Sequence, residues 1–503
     1  MNLRVLLILL SIVTFLLPLG ITPLFDLDEG AFSEATREML SSGNYITTYL
    51  DGALRFDKPI LIYWLQALSV KLFGLNEFAL RLPSAVAGLF WAYLVYRFTQ
   101  KEFTQKAAFY ATLFMISSLQ INLITKAAIA DSLLNLFIVS SLFSIWLYLK
   151  SSNKKYLYLS FASIAFGVLT KGPVAIMIPL VTLFLYLLIK KDLVKFFKTV
   201  FNPIGILIFL VIAMPWYILE YLEQGQKFID GFFLKHNLQR FNSTFESHKG
   251  SFFYYFPVLL LGFLPFTTIL IKSLFKVKRY IKDDLTLFLL IWFTFVFIFF
   301  SFSGTKLPHY IVYGYTPLFV IMGAWADKNF TKFTFLTTAP TLLLFLILLS
   351  LPLVATYIEP KNLYIKDILS GVNSSFGLFY LTSISIAFVT ILTIKSLHIK
   401  VEYKVITYAL IFTLIVNFVA VTSYGNLIQQ PVKDAALYAK KHNLKVIRYH
   451  ITMPSFLVYS QSKSLKSKPK RGSVLLTKSK SLKDFQNYKT LFSKNGIYLI
   501  ELK

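Results

Sequence analysis

Apolar runs of 14 to 22 residues alternate with short polar loops along almost the whole chain, a spacing that matches helices crossing a bilayer. The runs fall near 3–24, 82–97, 107–124, 132–149, 157–170, 173–189, 203–219, 252–271, 285–302, 309–326, 333–354, 376–394 and 405–424, giving about 13 expected spans. The fifth run is short and would merge with the sixth as a re-entrant pair. The loops 97–106, 150–155, 190–198, 272–282 and 395–404 are short and rich in Lys and Arg. With an odd number of spans they share one side, which the positive-inside rule makes cytoplasmic. The acid-bearing segments 25–81 and 220–250 then lie outside, as do the loops around Asp131, Thr170–Pro173 and Ser303–His309.

From residue 429 the pattern changes. A helical stretch over Val432–His442 is followed by short β-like runs at Lys445–His450, Ser473–Thr477 and Gly496–Glu501. This predicts a transmembrane domain over 1–428 and a small α/β domain over 429–503 on the outer side. The tail holds 16 Lys or Arg against three acids. That charge reads either as a solvated basic surface or as docking onto anionic head groups.

Composition agrees with a membrane protein. The 503 residues are 56% hydrophobic and only 15% charged, with a mean hydropathy of +0.64. The absence of cysteine excludes a disulfide framework, a thiol nucleophile and a cysteine metal site. A net charge of +27 raises nucleic-acid binding as one reading, but the positive-inside bias and an anionic membrane surface account for it more simply. The first run exceeds the apolar core of a signal peptide and has no small-x-small site before Asp26, so it is read as a retained span.

The candidate chemistry sits in the outer segments. Asp28 and Glu29 follow the first span, where a carboxylate is either a general base beside the membrane or a favourable charge in a helix's first turn. In R-F-D-K-P, Lys58 opens an interfacial helix, suited to a phosphate or merely snorkelling. Asp131 starts the fourth span as a functional acid or a helix cap. His236 and Arg240 lie four apart on one helical face, and Asp57 with His236 makes a weak metal pair. The loop S-G-T-K-L-P-H-Y adds Lys306, His309 and Tyr310 as donors for a phosphate. No glycine-rich nucleotide loop is visible, which excludes a nucleotide cofactor of that type.

Taken in order, D-E-x-x-x-x-E-x-x-R-E-M (Asp28–Met39), F-D-K-P (Phe56–Pro59), A-L-R-L-P-S-A (Ala79–Ala85), T-K-G-P (Thr170–Pro173), N-L-Q-R-F (Asn237–Phe241) and K-L-P-H-Y (Lys306–Tyr310) carry a resemblance. The chain resembles the ArnT-like lipid A aminoarabinose transferases and, more broadly, the protein O-mannosyltransferases, both GT-C membrane glycosyltransferases. The resemblance implies an all-α polytopic fold and inverting transfer of a sugar from a polyprenyl phosphate to lipid A or another envelope acceptor, including a protein hydroxyl. It implies a bacterial inner membrane with the site on the periplasmic side. It also implies Asp28 as the essential acid, Asp131 as the acid before the fourth span, and Lys58, Arg240 and Tyr310 around the donor phosphate; Glu29 and Lys306 join these as catalytic and phosphate-binding candidates on their own residue chemistry. A divalent metal, zinc or magnesium, would fall on Asp57 and His236. Two family tyrosines are replaced by Phe32 and Arg55, and Asn237 aligns better than His236 with the family's histidine. A transporter or flippase would instead show charges or Gly/Pro breaks at mid-span.

Overall fold

The computed structural model describes residues 3–239, 250–275, 283–330 and 333–503. All 13 apolar runs contain helix, but fewer are continuous spans. Among the described residues, seven helices are long and apolar enough to cross a membrane, or eight if the pair Phe252–Gly262 and Thr267–Phe275, bent by 116°, counts as one. The remaining runs hold shorter or interrupted helices. Helix α1 (Leu3–Phe15) stops well before Leu24, ahead of Pro18, whose ring cannot donate to an earlier carbonyl. The third run divides at Ser118.

The local starts and stops follow the side chains. Helix α2 (Asp28–Ser42) ends at Gly43, in the left-handed region at φ 72°, with its N–H on Met39 O. After α3 (Leu61–Phe73), helix α4 (Glu77–Glu102) is capped by Asn76, whose Oδ1 accepts from Ala79 N at 2.9 Å. Next come α5 (Gln105–Ser117), α6 (Leu119–Ile124), α7 (Asp131–Ser151), α8 (Lys154–Lys171), α9 (Val174–Ile189), α10 (Leu193–Val200) and α11 (Pro203–Gln224). The outer ends of α2, α4, α7 and α8 bring together the segments 25–81, 128–131 and 170–173. Among the described residues, one large apolar core runs through the helical bundle.

Past the helix Val401–Leu414 and its continuation to Ile428, the chain forms a helix over Gln430–Lys441 and a four-stranded sheet. A two-residue hairpin in the outer segment supplies β1 (Tyr49–Leu50) and β2 (Ala53–Leu54). The sheet consists of β3 (Val446–Arg448), β4 (Val474–Lys478), β5 (Tyr488–Lys494) and β6 (Ile497–Leu502), ordered β3-β4-β6-β5, with β3 parallel to β4 and the other pairs antiparallel.

Three outer-segment acids clasp this small domain. Asp51 accepts from Arg448 Nη2 and Lys466 Nζ, both at 2.7 Å, and from Ser464 N at 3.0 Å. Glu77 accepts from Lys433 Nζ at 2.5 Å and Tyr459 OH at 2.9 Å. Asp26 accepts from Ser455 N at 2.9 Å and from Ser455 Oγ. Part of the basic excess of the tail is thus neutralised within the chain.

Candidate functional site

Asp28 and Glu29 are sequence neighbours with opposite environments. The N-cap of α2 is Leu27, and no side chain caps the helix, so Asp28 is not a cap. Its side chain is exposed, and among the described residues nothing donates to it. Glu29 is buried. Arg81 grips it with two bonds of 2.8 Å, and Phe25 N and Ala128 N complete its shell at 2.8 and 2.7 Å. The same guanidinium reaches the carbonyls of Leu19, Thr22 and Pro23 at 2.7 to 2.9 Å. A carboxylate so saturated has no lone pair directed at a substrate. The expectation that Glu29 is catalytic is corrected: it locks the end of the first apolar run to α4, and so holds the turn that presents Asp28.

The second cluster belongs to R-F-D-K-P. Asp57 takes Lys58 Nζ on Oδ1 at 2.8 Å and Arg55 Nη2 on Oδ2 at 3.1 Å, and His236 Nδ1 stands 3.3 Å from Oδ1. Arg55 lies over the Phe32 ring, 5.5 Å from its centroid, and Phe32 stacks on Tyr63 at 5.4 Å. Burial opposes the charge on Arg55. The neighbouring Tyr63, Asp57 and Asp28 more than offset it, so the guanidinium holds its proton more tightly than usual. That coupling ties Asp28 electrostatically to the Asp57–Lys58 pair.

Two cations already occupy the Asp57 carboxylate, and among the described residues no group of three His, Cys, Asp or Glu comes together to hold an ion.

The third cluster joins α7, α8 and the loop before Tyr315–Asn329. Asp131, buried at the first turn of α7, receives Lys171 Nζ at 2.7 Å and the Tyr313 hydroxyl, and His309 Nε2 is 3.7 Å away. Lys171 Nζ also donates to Tyr313 OH at 2.7 Å and lies 5.4 Å from the centroid of the Tyr310 ring. The N-cap of α7 is Ala130, so the capping alternative for Asp131 also fails. Aromatic rings link this cluster to the second: Phe56 meets Phe228 at 5.8 Å and Phe228 stacks on Phe232 at 5.6 Å. A Cβ on Gly172, at φ 79°, would fall 2.7 Å from the Phe232 ring. Glycine in T-K-G-P is what lets that ring seat beside Lys171.

Lys306 departs from its expected role. Its Nζ is turned back onto Ser301 O at 3.0 Å and Ser303 O at 2.6 Å, and the residue is buried. Both donations cap the last carbonyls of the helix Asp284–Phe302. Tyr310 is half-buried beside Lys171 and His309. Arg240 lies outside the described residues. Lys171 and Tyr313 were missed as site residues, although T-K-G-P marks the first: a lysine ending an apolar helix before a glycine calls for a buried acid.

Known proteins give the context. A family model described as dolichyl-phosphate-mannose-protein mannosyltransferase matches residues 57–219. An uncharacterised protein of Aquifex aeolicus is 32% identical over 336 residues, 67% of this chain and 76% of its own. The undecaprenyl phosphate-alpha-4-amino-4-deoxy-L-arabinose arabinosyl transferase of Aeromonas hydrophila is 33% identical over 318 residues, 62% of this chain and 57% of its own. This chain therefore spans less than two thirds of that named relative. The crystal structure of ArnT from Cupriavidus metallidurans, bound to undecaprenyl phosphate, superposes with a TM-score of 0.81 at 20% identity, covering 99% of this chain and 97% of that one.

Proposed function

We propose that this chain is a GT-C membrane glycosyltransferase of the ArnT and protein-mannosyltransferase type, and that it transfers a sugar from a polyprenyl phosphate to lipid A or a related envelope glycolipid. The observation that carries the reading is Asp28. It is an exposed carboxylate that accepts no hydrogen bond among the described residues, electrostatically coupled to the Arg55 cation, on a turn that Glu29 and Arg81 hold in place.

The chemistry is a displacement at the anomeric carbon. The acceptor oxygen forms the new glycosidic bond as the bond from carbon to the phosphate oxygen breaks. The electron pair leaves with the polyprenyl phosphate. Lys58 stabilises the charge that grows on that phosphate, and Arg240 is the second cation assigned to it. A hydroxyl acceptor gives its proton to Asp28. A phosphate acceptor is already ionised and needs no base, and Asp28 then orients the reacting groups.

The protein sits in a bacterial inner membrane with the site facing the periplasm. The Lys- and Arg-rich loops at the opposite helix ends support this orientation. A second reading, transfer to a protein hydroxyl, is favoured by the mannosyltransferase model over residues 57–219. Purified protein supplied with undecaprenyl phosphate-linked 4-amino-4-deoxyarabinose and either lipid A or an acceptor peptide separates the two. Mass gain on lipid A alone is expected; gain on the peptide alone overturns the first reading.

A further inference from the structure

At the end of the bundle opposite Asp28, a cavity of about 600 Å³ opens between the ends of α4, α7 and α9, the start of α10 and the helix Asp284–Phe302. Along α7 it lies roughly 28 Å from Asp131, at 1.5 Å per residue. Its wall carries charges of both signs, and most are already paired. Lys150 Nζ meets Glu102 Oε2 at 2.8 Å, and Lys190 meets Asp284. Asp192 and Asp283 each cap a helix, accepting from Lys195 N at 3.0 Å and Leu285 N at 2.9 Å.

Three groups remain with unmet demand. The Glu102 side chain is 3% exposed, yet its Oε1 has no hydrogen-bond partner. Trp146 is 7% exposed, and its Nε1–H likewise has none. Lys195 Nζ donates only to the Leu149 carbonyl at 3.2 Å, with no carboxylate paired to it among the described residues. Buried polar atoms are almost always satisfied. The cavity therefore calls for a cationic donor at Glu102 and an anionic acceptor between Trp146 and Lys195.

The rim selects among molecules carrying both. Leu188 and Ile189 at the end of α9, Val194 and Phe197 along α10, and Phe201 just past it are exposed apolar side chains next to the polar wall. Apolar surface beside a charged cavity at the end of a spanning bundle suits a molecule whose head is charged and whose tails are hydrocarbon.

We propose that this cavity is a binding site for the head group of a primary-amine phospholipid, phosphatidylethanolamine, in the leaflet opposite the sugar-transfer site. Its ammonium donates to Glu102 Oε1. Its phosphate accepts from Trp146 Nε1 and pairs with Lys195, and its acyl chains lie along α10. Phosphatidylcholine has no N–H to donate to Glu102, and phosphatidylglycerol has no cation.

The test is native mass spectrometry of the full-length chain titrated with phosphatidylethanolamine, phosphatidylcholine and phosphatidylglycerol of identical acyl chains, with glycerophosphoethanolamine as competitor. Phosphatidylethanolamine is expected to bind about tenfold or more tighter than the other two, the size of one charge-assisted hydrogen bond. Glu102→Gln should bring it down to the phosphatidylcholine level. Trp146→Phe keeps the ring and should weaken it several-fold. Lys195→Met, half-exposed on α10 and outside the core, gives the same reading should a core variant misfold. Equal binding of the three lipids, or wild-type binding by Glu102→Gln and Lys195→Met together, overturns the proposal. So does glycerophosphoethanolamine competing as well as the lipid, because the occupant would then be soluble.

Discussion

Lys171 Nζ and Asp131 Oδ1, on adjacent helices, stand 2.7 Å apart in the buried outer end of the bundle, and the Tyr313 hydroxyl bonds to both partners. A buried pair of this kind contributes little net stability while intact but is costly to break on one side, because the survivor stays charged in a poor solvent. Lys171→Met is expected to lose about 3–5 kcal/mol of stability. Lys171→Met combined with Asp131→Leu should recover most of that while remaining inactive. Thermal unfolding in detergent reads both variants; a Lys171→Met protein as stable as the wild type would show that the pair is solvated.

Asp28 carries the transfer reading, and its neighbour provides the contrast. Asp28→Asn keeps shape and insertion but removes the charge and basicity, so turnover should fall by about 10²-fold or more. Glu29→Gln should act mainly on stability, because it weakens the Arg81 lock. Near-normal turnover by Asp28→Asn with purified carrier-linked sugar would move the chemical centre to the Asp131 cluster.

The two lysines expected at the donor phosphate now separate. Lys58 is held by Asp57 at the site, whereas Lys306 caps a helix end. Lys58→Ala should weaken undecaprenyl phosphate binding by about 1.5–3 kcal/mol, the value of a charge-assisted contact. Lys306→Ala should leave that affinity unchanged and lower the melting temperature. Titration of the carrier against both proteins decides, and equal losses in affinity would return Lys306 to the site.

Docking of the C-terminal domain should depend on pH through Asp26. Burial, and more weakly the charge of Glu29, raise this carboxyl to about 7, against the lowering effects of Ser455 and Arg448. Below pH 4 it is protonated docked or free. Between pH 4 and 7 docking takes up a proton that the free state has lost, so the stabilisation, complete below pH 4, is lost progressively as pH rises and is gone above 7. From pH 8 to pH 6 the gain is on the order of 1 kcal/mol. Amide exchange in β3 and β4 should slow accordingly, and Asp26→Asn should flatten the dependence. Exchange that is independent of pH, after correction for intrinsic rates, would refute it.

Hydrophobic periodicity placed helix in each of the 13 apolar runs, because lipid forces backbone polar groups to pair within the segment, but it passed over the short helices Leu193–Val200 and Leu363–Ser370. The same pattern found the helix after 430 and three of the four strands of the tail. It missed Tyr488–Lys494, whose alternation is diluted by lysines and serine. The ordered motifs marked the stretches that gather at one end of the bundle. What they left open was the state of each charge. Asp28 and Glu29 look alike in the chain, and only the arrival of Arg81 from α4 makes one a lock and leaves the other exposed. Nothing local to the D-G turn at Asp51–Gly52 says that Arg448 and Lys466 will close on its aspartate. Whether Lys306 meets a phosphate or a carbonyl depends on how the helix before it ends. A side chain's chemistry is written in its residue type; whether that chemistry is spent on the fold or offered to a substrate depends on partners tens to hundreds of residues away, and those meet only on packing.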